Sequence, residues 1–263
     1  RAWKEVAERP WMAGCFYWTG FDYHGEPTPF EWPSVSSFFG IMDLCGFPKM
    51  AYYLHQAQWR EDKPVLELVP HWNWPVDSIG KPIQVMALSN ADKVRLLLNG
   101  KIISEQQVDP YEMNTWYVPY KPGKLEAIGY KDGKVVSRTK VETTKAPVCL
   151  QLTSYRNSLA GDGRDAMTVT VEALDAKGRH VPTTHNMIEF SITGPARIIG
   201  LGNGNPNCHE PEKGNKRSLF NGLAQVIIQA TEGSGEVTLT AITPGMKQAT
   251  LTIPVNQVAP VPF

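Results

Sequence analysis

Long apolar runs are missing from this sequence of 263 residues. None approaches the roughly 18 consecutive apolar residues of a membrane helix, so no membrane span is expected. An excess of charge of either sign is missing too. Lysine plus arginine and aspartate plus glutamate each number 26, for a formal net charge of zero. That balance speaks against a nucleic-acid partner, which demands a clustered basic surplus. Cysteine is scarce and unpatterned: Cys15, Cys45, Cys149 and Cys208 have long, irregular gaps and no CxxC. They are expected to be small buried apolar groups, not a zinc site or a disulfide framework. The six histidines are scattered without ligand spacing, so neither a metal site nor a cofactor is expected. The first residues (RAWKEVAERPW) lack the basic-then-apolar layout of a secretory signal, and the sequence is expected to start inside a longer protein.

What is present falls into two textures. Trp3, Trp11, Trp18, Trp32, Trp59, Trp72 and Trp74 all precede residue 75, and only Trp116 follows it. Beyond about residue 63 the chain becomes short alternating segments separated by turn signals. The length allows two or three domains, and the change of texture puts a boundary near residues 60–64.

Before that boundary, residues 2–9 (AWKEVAER) suit the last turns of a helix that Pro10 would stop. Residues 12–19 (MAGCFYWT) form an almost unbroken apolar run of strand length, as in a parallel sheet covered on both faces. A loop rich in glycine, proline and aromatics follows to about residue 46. Pro48 can then open a helix through KMAYYLHQAQW, with Met50, Tyr53, Leu54 and Ala57 apolar. One strand, one loop and one helix cannot close a core, so the partners are expected from upstream chain.

Residues 64–144 read as all-β, with strand-like runs VLELV, PIQVMALS, VRLLL, KIIS, TWYVPY and KLEAIGY. Asn99-Gly100 and Asp132-Gly133 each favour the left-handed dihedrals of a type I′ hairpin. About seven short strands in some 80 residues point to an immunoglobulin-like sandwich. After the polar linker ETTKAP, MTVTVEAL alternates cleanly and MIEFSIT, ARIIGLG, LAQVIIQA, EVTLTAI and ATLTIPV continue the pattern, a second sandwich. The tail QVAPVPF is expected to fray.

The run from Trp18 to Pro27 (WTGFDYHGEP) leaves the end of the predicted buried strand, where parallel α/β folds meet their ligands. Trp18, Phe21, Tyr23, Phe30 and Trp32 interleave with Asp22, Glu26 and Glu31. Such aromatic faces can cover the C–H side of a pyranose, and carboxylates can accept its hydroxyl protons. Two bland readings stand beside this one: the aromatics pack, and Asp22 ties down its loop through backbone N–H groups. Asp22 and Glu26 as an acid and its partner would need carboxyl groups roughly 5–5.5 Å apart. The spacing sets no such distance.

The segment WMAGCFYWTGFDYHGEPTPFEWPSVSSFFGIMDLCGFPKMAYYLHQAQW is similar to the end of the catalytic barrel in family 2 glycoside hydrolases. It resembles in particular the bacterial β-galactosidases with extra C-terminal sandwiches. The resemblance continues through PHWNW and SNADKVRLLLNGK, and then through GLGNGNPNCHEP and SLFNGLAQVIIQA, so it covers nearly the whole chain. It implies a mainly β chain: two immunoglobulin-like β-sandwiches (residues 63–145 and 146–263) preceded by the last strand and helix of a (β/α)8 barrel (residues 1–62). It implies a parent enzyme that cleaves terminal β-galactosides with retention, through a covalent glycosyl-enzyme. The family's two catalytic glutamates sit on earlier barrel strands and have no counterpart here. No catalytic residue is therefore assigned, and the chain alone is expected to be inactive.

Trp18 matches the tryptophan of the sugar-binding wall, and Asp22 and Glu26 match positions of the same loop motif, so these three are the substrate-binding candidates. Residues 36–40 lie where some family members place aromatic and asparagine groups near galactose and a cation. Phe38-Phe39 stand there without an asparagine, so no metal is carried over. The implied partner is a β-galactoside-containing saccharide, with oligomerisation through the sandwiches and a periplasmic or secreted location as further expectations. The rival from another class is a non-catalytic carbohydrate-binding or surface adhesion module, favoured by the long polar loop at residues 200–211 (GLGNGNPNCHEP). A third reading makes the sandwiches spacers.

Overall fold

The computed structural model of the chain describes residues 2–258. Arg1 and residues 259–263, most of the tail expected to fray, lie outside the described residues. The chain divides into two compact units. The first comprises residues 1–22, 38–43 and 47–143, and the second residues 23–37, 44–46 and 144–263.

The first unit opens with helix α1 (Ala2–Ala7) and later carries α2 (Met50–Trp59). Lys49 takes the N-cap position of α2 with extended backbone, so the helix starts at Met50, two residues later than Pro48 would allow. Seven strands follow: β1 (Leu66–Val69), β2 (Pro82–Ser89), β3 (Lys93–Leu98), β4 (Lys101–Gln107), β5 (Asn114–Pro119), β6 (Lys124–Lys131) and β7 (Lys134–Glu142). They make two antiparallel sheets, ordered β1-β2-β5 and β4-β3-β6-β7. One core joins them. Leu68, Val85, Ala87 and Val118 from the first sheet pack with Val94, Leu96, Leu125 and Ala127 from the second, and Trp72 is fully buried among them. The Trp72 indole N–H is satisfied by the Lys121 carbonyl at 3.0 Å, as burial of that group requires. Asn99 and Gly100 both have positive φ, as do Asp132 and Gly133. The two tight turns therefore form where local chemistry predicted them.

In the second unit the strands are β8 (Cys149–Ser154), β9 (Leu159–Ala160), β10 (Ala166–Leu174), β11 (Met187–Thr193), β12 (Ala196–Gly202), β13 (Lys216–Ser218), β14 (Leu223–Ala230), β15 (Gly235–Ile242) and β16 (Ala249–Asn256). They build one sheet ordered β12-β14-β10-β8 and a second ordered β13-β11-β15-β16-β9. Strict alternation in β10 sends Met167, Val169, Val171 and Ala173 inward, opposite Ala224, Val226 and Ile228 of β14 on the same sheet. Ile188 and Phe190 of β11 and Val237 and Leu239 of β15 close the core from the facing sheet. The molecule is thus mainly β and built from β-sandwiches.

Two expectations are corrected. The apolar run at residues 12–19 forms no strand, and Trp11, Phe16 and Trp18 are exposed. Ladder-like pairing begins only at its end, where Ile41 N–H donates to Thr19 O and Met42 N–H to Gly20 O, both at 3.0 Å. The described residues supply no neighbouring strand for the rest of the run, and a lone strand leaves its backbone groups to solvent. The cysteines are not buried apolar groups either. Cys15 is exposed and Cys45, Cys149 and Cys208 are half-buried, all as thiols. Cys15 shares the fate of its unpaired segment.

Candidate functional site

The three candidates from the WTGFDYHGEP motif occupy different surroundings. Trp18 lies in the first unit at the end of the extended run, 72% exposed. Its ring is the sort of flat apolar face that a sugar's C–H side can cover.

Asp22, also in the first unit, is only 5% exposed. Its backbone N–H donates to Met42 O at 3.0 Å, next to the parallel bridge between Phe21 and Met42. Its carboxylate is fully engaged. Lys49 Nζ donates to Oδ1 at 3.0 Å and to Oδ2 at 2.9 Å, and the Gly40 N–H donates to Oδ1 at 2.8 Å. The same ammonium reaches the Phe38 carbonyl at 3.0 Å. One buried ion pair therefore ties the motif to residues 38–40 and to the N-cap of α2. A charge this buried is tolerable only when it is paired and hydrogen-bonded. The geometry realises the loop-anchoring reading of Asp22.

Gly40 belongs to the same knot. A Cβ there would stand 2.2 Å from the Asp22 nitrogen and 2.3 Å from the Met42 carbonyl oxygen, so only glycine lets these backbones approach.

Glu26 falls in the second unit, exposed, with a positive φ of 49°. The Tyr23 hydroxyl donates to its carboxylate. Its segment is pinned by polar contacts made within that unit. Ser37 N–H donates to Tyr23 O at 2.8 Å and Gly25 N–H to Val35 O at 2.9 Å. His24 Nε2 meets Glu212 Oε1 at 2.7 Å while His24 Nδ1 lies 3.1 Å from the buried Ser36 hydroxyl. Glu212 can only accept, so Nε2–H donates to it, and a neutral ring then offers Nδ1 as acceptor to the Ser36 hydroxyl. The His209 ring N–H reaches Pro33 O at 2.8 Å, and its ring packs against Trp32 with centroids 4.4 Å apart.

The sequence reading missed Lys49 and Gly40 as partners of Asp22, and Glu212 as the partner of His24. A pairing across 27 residues leaves no local signature. His24 and Glu212 are 188 residues apart. Among the described residues, no group of three or more histidine, cysteine, aspartate or glutamate side chains is arranged to hold a metal ion. No helix among them is long and apolar enough to cross a membrane.

Residues 150–252 match the family model described as glycoside hydrolase family 2 C-terminal domain 5, and residues 80–137 match a domain of unknown function, DUF4982. The β-galactosidase BoGH2A of Bacteroides ovatus is 42% identical over 252 residues, 95% of this chain and 29% of that protein. A putative β-glucuronidase of Formosa agariphila is 37% identical over 234 residues, 87% of this chain and 22% of that protein. The crystal structure of a β-glycosidase from Bacteroides vulgatus superimposes with a TM-score of 0.90 at 35% identity, covering 96% of this chain and 32% of its own. The chain thus spans about a third or less of the length of these relatives.

Proposed function

Since the chain belongs to the C-terminal region of glycoside hydrolase family 2, we propose that it is the C-terminal portion of a retaining glycosidase acting on terminal β-galactosides. The observation that carries this reading is the 42% identity with a β-galactosidase, which runs through 95% of the chain. In this reading residues 1–62 are the end of the catalytic barrel, and residues 63–145 and 146–263 are accessory sandwiches.

Trp18 supplies part of the sugar-site wall. Asp22 acts through Lys49, holding the loop beside it in one conformation. Glu26 is the third substrate-side group, its carboxylate oriented by Tyr23. Retention requires two carboxyl groups roughly 5–5.5 Å apart across the scissile bond. No residue of this chain is assigned to that pair. Orientation and preorganised charge supply much of an enzyme's rate, so a chain without the pair is inactive by itself. We also place the protein in the periplasm or outside the cell, and propose that it self-associates through its sandwiches.

A second reading has its own support. Relatives named β-glucuronidase match 87% and 95% of the chain, so a β-glucuronide is the competing substrate. Purified longer protein containing this region is expected to hydrolyse an aryl β-galactoside faster than an aryl β-glucuronide. The opposite preference transfers the assignment to glucuronides. Turnover of either substrate by the pure 263-residue chain would overturn the division of labour proposed here.

A further inference from the structure

We propose that a cavity of about 540 Å³ in the second unit binds a neutral saccharide without cleaving it. Its volume lies in the range of small-molecule sites. Every residue lining it belongs to that unit, and Trp18, Asp22 and Glu26 are not among them.

The lining combines an apolar side with groups that still have hydrogen-bonding capacity. Leu44 and Ile227 contribute the apolar side, and Gly202 and Gly204 line it with backbone alone. Arg217 is the built element, at 3% exposure. Its Nη1 donates to Cys208 Sγ at 3.0 Å, and its Nη2 donates to Leu201 O at 3.0 Å and Pro211 O at 3.1 Å. Its Nε is buried with no hydrogen-bond partner, and Glu210 Oε2 stands off at 3.9 Å. The guanidinium thus braces the wall from behind, and the groups open to a ligand are the side chains around it.

Three further side chains on the wall are each half used. Gln225 Nε2 donates to Cys45 O at 3.2 Å, which leaves its carbonyl oxygen. Asn205 accepts from Asn207 N–H at 3.0 Å, which leaves its amide donors. Glu212 gives Oε1 to His24 and keeps Oε2. Donors and acceptors facing one cavity suit hydroxyl groups, which both give and accept hydrogen bonds.

Charge narrows the ligand class. Lys213 and Arg217 are matched by Glu210 and Glu212 on the same wall, so neither a phosphate nor a uronic acid is favoured. His209, also on the wall and tilted against Trp32, adds a flat ring for the C–H side of a sugar.

The test uses the chain as it is and needs no hydrolysis, so its outcome is separate from that of the substrate assay. Lactose, cellobiose and glucuronate are titrated to about 20 mM and read by calorimetry and amide chemical shifts, a range that captures weak binding. Lactose or cellobiose is expected to bind saturably, and the double variant N205A/Q225A is expected to bind it at least about tenfold more weakly with its melting temperature unchanged. Both residues are only half-buried, so the variant should fold. Absence of saturable binding of either neutral sugar would overturn the proposal. So would unchanged affinity in the folded double variant, or a preference for glucuronate.

Discussion

The Lys49 ammonium lies 3.0 and 2.9 Å from the two carboxylate oxygens of Asp22, whose side chain is 2% exposed. This pair joins the backbone hydrogen bonds linking Thr19, Gly20 and Asp22 with Ile41 and Met42 in securing the loop after Trp18. Replacing Lys49 with methionine leaves a buried carboxylate with the Gly40 N–H as its remaining donor. The expected cost is about 3 kcal/mol in the stability of the first unit, measured by denaturant unfolding. The double variant D22N/K49M should recover part of that loss, because the stranded charge is then gone. Equal stability of K49M and the native chain would refute the anchoring role.

Gly40 makes a sharper steric test. Ala at this position drives its methyl into the Asp22 and Met42 backbones. Gly40→Ala is expected to cost about 2–3 kcal/mol, the scale of overpacking at a site that cannot relax. Circular dichroism melting reads the effect directly.

His55 offers a pH handle in the first unit. Burial holds its pKa below the usual 6.5, with the Gln58 hydrogen bond opposing, and its ring is stacked on Trp59 with centroids 4.6 Å apart. A lowered folded pKa means that the unfolded chain binds the proton more tightly. Stability is then full above pH 6.5 and falls as pH drops from there through the folded pKa. His55→Phe should flatten that part of the stability–pH curve. A curve identical to the native one between pH 7 and about 5 would contradict the assignment.

Asp175 acts in the opposite range. The Arg179 guanidinium is the main cause of its depressed pKa, at 3.0 and 2.5 Å, and the N–H groups of Arg179, Lys145 and Lys177 reinforce it. Its contribution is complete above the unfolded value of 3.8 and is lost as pH falls further toward the folded pKa. Asp175→Asn is expected to destabilise the second unit by about 2 kcal/mol at neutral pH and by less in acid. A constant difference across acid pH, followed by tryptophan fluorescence or far-UV signal, would show that the carboxylate charge is irrelevant.

The hairpins and the outward–inward pattern of the sandwiches were legible because their causes are local. Asn99-Gly100 and Asp132-Gly133 adopt positive φ whatever surrounds them, and the period of two in β10 puts Val169 and Val171 on one face by geometry alone. The run at residues 12–19 misled for the complementary reason. Its apolar composition signals a buried strand, yet burial depends on neighbours that the composition does not contain. Trp18 consequently shows 72% of its surface.

The sequence by itself determined the mainly β architecture, the turn positions and the resemblance that led to the glycosidase reading. Turn dihedrals and strand alternation are properties of a few consecutive residues. Only the tertiary structure decided which charges meet. It paired Asp22 with Lys49 and His24 with Glu212, spent the Asp22 carboxylate on holding a loop, and placed Arg217 in a cavity wall with one donor left over. Such pairings join residues up to 188 positions apart, and the free energy that selects them comes from desolvation and contact in the folded state.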